Sequence, residues 1–235
     1  MPPKIASPAN VSGISSMATR QVFAELCVAC EQQCGVAVAF QSAGGVDVAK
    51  RVRGGEPFDL VVLASSAIDE LIAAGHLVAA SKVDLVRSGV SIAVRSGMSA
   101  PDIGCEDAVR EAVRRARSIG YSTGPSGVQL ARLFERWGIA AEVKHRIVIA
   151  PPGVPVGRLV ASGEVELGFQ QHSELMHLEG ITVVGALPPA IQIVTTFSAA
   201  ICASSARAEA ARRVLDFMSS PRAADVQRRH GMEPA

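Results

Sequence analysis

The chain has 235 residues, more than the usual single domain, with 49% apolar and 19% charged residues. That composition excludes a disordered chain, and a formal net charge of +1 with no block of like charges argues against nucleic acid as a partner. No apolar run approaches the ~20 residues of a membrane-spanning helix; the best, Leu60 to Ala64, is strand-sized.

In chain order, short apolar runs alternate with amphipathic segments, the pattern of an α/β protein with parallel strands. Met1–Ser7 leads almost at once into the first apolar run, with no apolar h-region, so the expected location is cytoplasmic; a periplasmic location would require that a signal had been removed. Val11–Ile14 predicts a strand and Ser16–Cys34 a helix stopped by Gly35. The spacing of Cys27, Cys30 and Cys34 invites a metal or redox reading. Val22, Phe23, Leu26, Cys27 and Cys30 nevertheless form one apolar stripe, so these thiols are expected in the core. With neither HExxH nor a paired CxxC present, no metal and no cofactor is expected.

Val36–Phe40 predicts a second strand, Val46–Val52 a helix, Phe58–Leu63 a buried strand and Ser66–Ala74 a helix stopped by Gly75. Val90–Val94 opens a new section. It continues with an arginine-rich helix at Glu106–Arg117, a strand at Ser118–Ser122 and a helix at Val128–Trp137. Then come strand Arg146–Ile149, helix Val156–Ala161, and strands Leu167–Gln170 and Ile181–Val184. Val194–Ile201 is the last strand, followed by helices Ala206–Met218 and Arg222–His230. Arg87-Ser88-Gly89 and Leu187-Pro188-Pro189 read as breaks. They divide the chain into a discontinuous lobe, 1–88 plus 195–235, and a second lobe, 89–194.

Four strand-to-helix turns carry the chemistry. In Gly120–Gly127, the hydroxyls of Ser122, Thr123 and Ser126 and the flexible Gly127 meet a helix N-terminus, whose unpaired amides and dipole favour an anion. An ordinary loop in which Ser126 caps the helix explains the same residues. The lysine of a Walker loop is missing, and Val128 replaces the last glycine of a nucleophile elbow, so neither nucleotide binding nor serine hydrolysis is indicated. The comparable turns are Gly13-Ile14-Ser15-Ser16, Ser42-Ala43-Gly44-Gly45 and Pro151-Pro152-Gly153-Val154-Pro155. In open α/β sheets, ligands bind outside the carboxyl ends of the strands, where these four turns fall.

Arg53-Gly54-Gly55-Glu56-Pro57-Phe58-Asp59 resembles the "GxPxD" stretch of periplasmic molybdate-binding proteins and their relatives. Val214–Pro221 with His230-Gly231-Met232 is similar to that family's closing pattern, and Ser162–Phe169 to its "SGEADLGIVY" segment. The likeness runs over most of the chain in one order. It implies the two-lobed periplasmic-binding-protein type II fold, each lobe a mostly parallel sheet flanked by helices, with a ligand cleft between lobes. Carried over position by position, Ser15, with Ser16 beside it, falls at the family's first ligand serine. Its second falls at Gly44 and Gly45, its tyrosine at Gln171 beside Gln170, and its backbone amide near Gly153 and Val154. Two side-chain ligands are thereby altered, so an organic di- or tricarboxylate fits at least as well as molybdate or another oxyanion. Arg20, one turn into the first helix, reads either as a carboxylate clamp or as a solvated helix residue.

Two functions follow from the resemblance. One is a binding protein for a small anion, with an ABC transporter as partner only if the chain is exported. The other is an isomerase of the kind that includes aconitate isomerase, shifting an allylic proton of an unsaturated tricarboxylic acid. That chemistry needs a positioned base, for which His172 and Glu174 are the candidates; rim residues of a helix are the plainer reading of both.

Overall fold

The computed structural model describes residues 10–151 and 153–235. The Met1–Ser7 run and Pro152 lie outside the described residues. Strand β1 (Val11–Ser16) passes through one 3-10 turn into α1 (Arg20–Cys34), followed by β2 (Val38–Ala43), α2 (Gly45–Arg53), β3 (Leu60–Ala64) and α3 (Ser65–Ala73). A long strand, β4 (Val83–Arg95), precedes α4 (Glu106–Arg115), β5 (Ile119–Tyr121), α5 (Pro125–Arg136) and the short α6 (Ala140–Val143). Next come β6 (Ile147–Ile149), α7 (Val156–Ser162), β7 (Leu167–Gln171), α8 (His172–Leu175) and β8 (Ile181–Ala186). The chain closes with β9 (Val194–Ile201), α9 (Ala208–Met218), α10 (Ala224–Arg229) and β10 (Glu233–Pro234). Among the described residues no helix is long and apolar enough to cross a membrane.

Two compact units result: Met1–Val86 with Thr196–Ala235, and Arg87–Thr195. The chain therefore leaves the first unit within β4 and re-enters it within β9. In the first unit, β1 pairs in parallel with both β2 and β3, while β9 pairs antiparallel with β3. All five residues of β3 are buried because both faces of the sheet are covered. Leu60 and Val62 join the core under α1 and α9, whereas Val61 and Leu63 join the core under α2 and α3. Cys30 is fully buried in the first of these, with Cys27 and Cys34 packed against it. Burial pushes the Cys27 thiol up to about 11 and that of Cys30 to about 12, so both stay protonated and unreactive near neutral pH.

Asp59 of the GxPxD stretch is a tie within this unit. Its carboxylate accepts the Ser12 amide at 2.8 Å, the Ser12 hydroxyl at 3.0 Å and the Ser205 hydroxyl at 2.7 Å, and Arg207 stands 3.4 Å away. Burial works against the ionised form, but these partners outweigh it and hold the carboxyl below its ordinary range. The tail is thereby fixed to the start of β1.

In the second unit β5 pairs in parallel with β6 and β7, and β4 pairs antiparallel with β7 and β8. Val109 and Val113 of α4 and Leu130, Leu133 and Phe134 of α5 pack on Ile92, Ile119, Leu167 and Phe169. The opposite face receives Val156 and Val160 of α7.

Two local expectations change. Arg87-Ser88-Gly89 is not a turn: β4 runs unbroken through it as the chain passes from one unit to the other, since Leu85 accepts the Ala235 amide while Val90 bonds to Ile193. Ladder hydrogen bonds override turn propensity there. Helix α5 starts at Pro125 rather than Val128, because proline's fixed φ suits the first helical position.

Candidate anion site

Parallel pairing brings the carboxyl ends of β1, β2 and β3 to one edge of the first sheet. Register sets Ser15 opposite Ser42, and their hydroxyl oxygens lie 2.9 Å apart. Ser15 is fully buried. Ser16 is engaged locally, since its hydroxyl accepts the Ala18 amide and its carbonyl accepts the Thr19 hydroxyl at 2.9 Å. Arg20 is exposed, and among the described residues its guanidinium has no hydrogen-bonding or ionic partner. Gly44 is the N-cap of α2 and Gly45 its first residue, with no side chain capping the helix. A Cβ on Gly45 would meet only Leu63, at an ordinary 3.7 Å, so packing does not demand glycine there. The unpaired amides of that first turn and the end of the helix dipole favour negative charge.

In the second unit the carboxyl ends of β5, β6 and β7 share an edge in the same way. No side chain caps α5, and the hydroxyls of Ser122, Thr123 and Ser126 have no protein hydrogen-bond partner among the described residues. The capping role open to Ser126 is therefore not taken up, and its hydroxyl is available. Gly127 answers to packing instead: a Cβ there would stand 1.8 Å from the Ser122 carbonyl oxygen. Only glycine lets the loop lie this close on the helix.

The turn after β6 holds one expected donor back. Gly153 adopts φ 77°, and the Val154 amide donates to Pro151 at 3.0 Å, closing the turn on itself. After β7, the buried Gln170 carboxamide oxygen accepts the Gly157 amide at 3.3 Å, and its nitrogen donates to Glu174. Gln171, 4% exposed, donates to the Thr195 hydroxyl at 2.8 Å, while its Oε1 has no partner among the described residues. An amide turned the other way would leave its nitrogen unpaired instead, because the hydroxyl can donate or accept.

Beyond β7 stand two titratable groups. His172 Nδ1 lies 3.1 Å from the Ser91 hydroxyl. Burial, and then the neighbouring His177, hold His172 below the usual histidine range, so the ring is neutral near pH 7. Burial pushes the Glu174 carboxyl up to about 7, against the hydrogen bond from Gln170. An acid and a neutral imidazole two residues apart can accept and return a proton at neutral pH.

Sequence reasoning does not single out Ser42 as a ligand, nor Ser91 or Thr195. Ser42 reads as part of a turn but belongs to β2, and the period-2 pairing of a parallel strand is the signal that could have found it.

Two α/β units on a chain that passes twice from one to the other, with open helix N-termini at the carboxyl edges, define the type II periplasmic binding protein fold. The sequence profile of the family described as bacterial extracellular solute-binding protein matches residues 11–233, and the chain belongs to that family. Aconitate isomerase from a Pseudomonas species is 38% identical over 217 residues, 85% of this chain and 82% of that protein. The periplasmic molybdate-binding protein of Azotobacter vinelandii matches with a TM-score of 0.78 at 20% identity, over 94% of this chain and 98% of that one. A tungstate ABC transporter structure from Geobacter sulfurreducens matches with a TM-score of 0.74 at 13% identity, covering 92% and 97%.

Proposed function

We propose that this chain binds a small di- or tricarboxylate at the carboxyl edges of its parallel strands and shifts the double bond of an unsaturated one. Glu174 carries the reading. Its carboxyl, desolvated and pushed up to about 7, is held by Gln170, which is itself fixed to the first turn of α7. A base poised near the working pH suits proton abstraction beside a carboxylate. The likeness to aconitate isomerase supports the same chemistry.

The reaction needs no co-reactant. Glu174 takes a proton from the methylene carbon next to the double bond, and the C–H electron pair becomes the new C=C bond. The former π pair then accepts the proton at the far alkene carbon, so one C–H bond breaks and one forms. His172, neutral and steadied by Ser91, is the candidate hydrogen-bond donor to a substrate carboxylate. In the same unit, Ser122, Thr123, Ser126 and the open first turn of α5 can supply neutral donors; the first unit offers Ser15, Ser42, Arg20 and the first turn of α2 at its own carboxyl edge.

Incubation with aconitate in D₂O, followed by NMR, tests this. Conversion between isomers with deuterium entering the allylic carbon is expected, and Glu174→Gln should slow it by about 100-fold or more while leaving binding intact. Aconitate that binds yet stays unconverted and unlabelled would reduce the function to binding alone. A second reading, binding of a tetrahedral oxyanion, draws on the Ser15–Ser42 hydroxyl pair and on the molybdate and tungstate neighbours.

A further inference from the structure

The amino edge of the second unit's sheet holds a cavity of about 740 Å³ that shares no residue with the site above. Ser118 and Leu167 stand where β5 and β7 begin, and antiparallel pairing brings the end of β4, Val94 and Arg95, to the same place. Gln171 is at the far end of β7, about 13 Å away at 3.3 Å per residue. The volume is that of a small-molecule site, typically ~300–1,000 Å³.

The lining of this cavity is amphipathic. Helix α4 turns Val109 and Val113 into the core and presents Ala108 and Ala112 to the cavity, where their small side chains leave the space open. Val94, Met98 and Pro101 add apolar surface, and Met98 is 53% exposed. Methionine adapts its shape to irregular apolar partners. The charges bordering it are mostly paired: Arg115 with Glu111 at 2.6 Å and Arg117 with Glu166 at 3.0 Å. Arg95 differs: its guanidinium has no hydrogen-bonding or ionic partner among the described residues. Its guanidinium lies beside Gly163, where a Cβ would come to 3.4 Å of Nη1.

We propose that this cavity is a second ligand site, taking a small amphipathic monocarboxylate. The anionic head pairs with Arg95, and the apolar body lies on Val94, Met98, Pro101, Ala108 and Ala112. A guanidinium grips a carboxylate through two parallel hydrogen bonds; of the acids lining the cavity, Glu111 and Glu166 are paired with Arg115 and Arg117, Asp102 accepts the Gly104 amide, and none is paired with Arg95. The site is independent of the isomerase reading, and either can fail without the other.

Calorimetric titration of the full chain with octanoate tests it, with 1-octanol as the same body without the charge and acetate as the charge without the body. Octanoate should saturate, with both controls binding at least about tenfold more weakly. Arg95→Gln, at an exposed position, should weaken octanoate about tenfold or more without changing thermal unfolding. Ala108→Phe should take space from the apolar wall and weaken octanoate about tenfold or more. Octanoate that fails to saturate, binds no better than 1-octanol, or binds Arg95→Gln as well as the parent chain would overturn the proposal.

Discussion

Ser15 and Ser42, 27 residues apart in sequence, meet hydroxyl to hydroxyl at 2.9 Å because β1 and β2 pair in parallel at that register. Each hydroxyl can donate to only one acceptor, so when Ser15 donates to Ser42, Ser42 keeps its proton for a ligand; when Ser42 donates, the Ser15 proton has the Ser16 carbonyl at 3.4 Å as an alternative. The pair thus acts as one donor unit. Ser15→Ala and Ser42→Ala should each weaken the anion by about tenfold, and the double variant should cost less than the sum of the two. Isothermal titration of the three variants gives the coupling; strict additivity would show that the hydroxyls act separately.

Ligand class is decided by a thermal-shift comparison. By the resemblance, Gly44, Gly45 and Gln171 fall where the molybdate-binding family carries a serine and a tyrosine, which would leave more room and more amide character. Di- and tricarboxylates should therefore raise the melting temperature more than molybdate, tungstate or sulfate at matched concentrations. A ligand at 100 times its Kd stabilises the native state by about 2.7 kcal/mol, which such a measurement resolves. If molybdate gives the larger shift, the oxyanion reading replaces the carboxylate one.

Glu174 links stability to pH with a definite sign. Its carboxyl is raised from 4.5 to about 7 on folding, so between those values the folded chain keeps a proton that the unfolded chain releases. This group's contribution is full below 4.5, is lost as pH rises towards 7, and stays lost above. Urea unfolding of Glu174→Gln should lack that decline and gain on the order of 1–3 kcal/mol relative to the parent between pH 5 and pH 8. Parallel pH profiles for the two chains would show that Glu174 titrates normally.

Gly127→Ala should destabilise the second unit by about 3 kcal/mol, because its new methyl would overlap the Ser122 carbonyl oxygen. Gly45→Ala has space and should cost no more than a few tenths of a kcal/mol, or stabilise slightly. Thermal melts of the two variants make the comparison. An equal loss in both would mean that the Ser122 loop yields to the methyl.

The fold class was legible because buried parallel strands such as Leu60–Ala64 and stripes such as Val22, Phe23, Leu26 and Cys30 have strong periods. Short elements were not. The single turns Ala140–Val143 and His172–Leu175 are too brief to show a helical period, and the first half of β4 is specified by distant partners rather than by its own residues. At the site, residue types were readable but commitments were not. Nothing local in Val154 announces that its amide closes a turn on Pro151, or in Gln171 that it bonds Thr195, 24 residues away. Such bonds depend on register and loop closure, which a linear reading does not contain.

The discontinuity of the first unit sets an order of events during synthesis. Strand β9, which completes the edge of β3, leaves the ribosome only after every residue of Arg87–Thr195 has been made. Until then β3 offers bare amides and carbonyls, and the apolar faces that α9 will cover are open to water and to other chains. The second unit has all its strands by that point and can finish first. The nascent chain is therefore most vulnerable to aggregation during the interval in which its opening segment waits for its last forty residues.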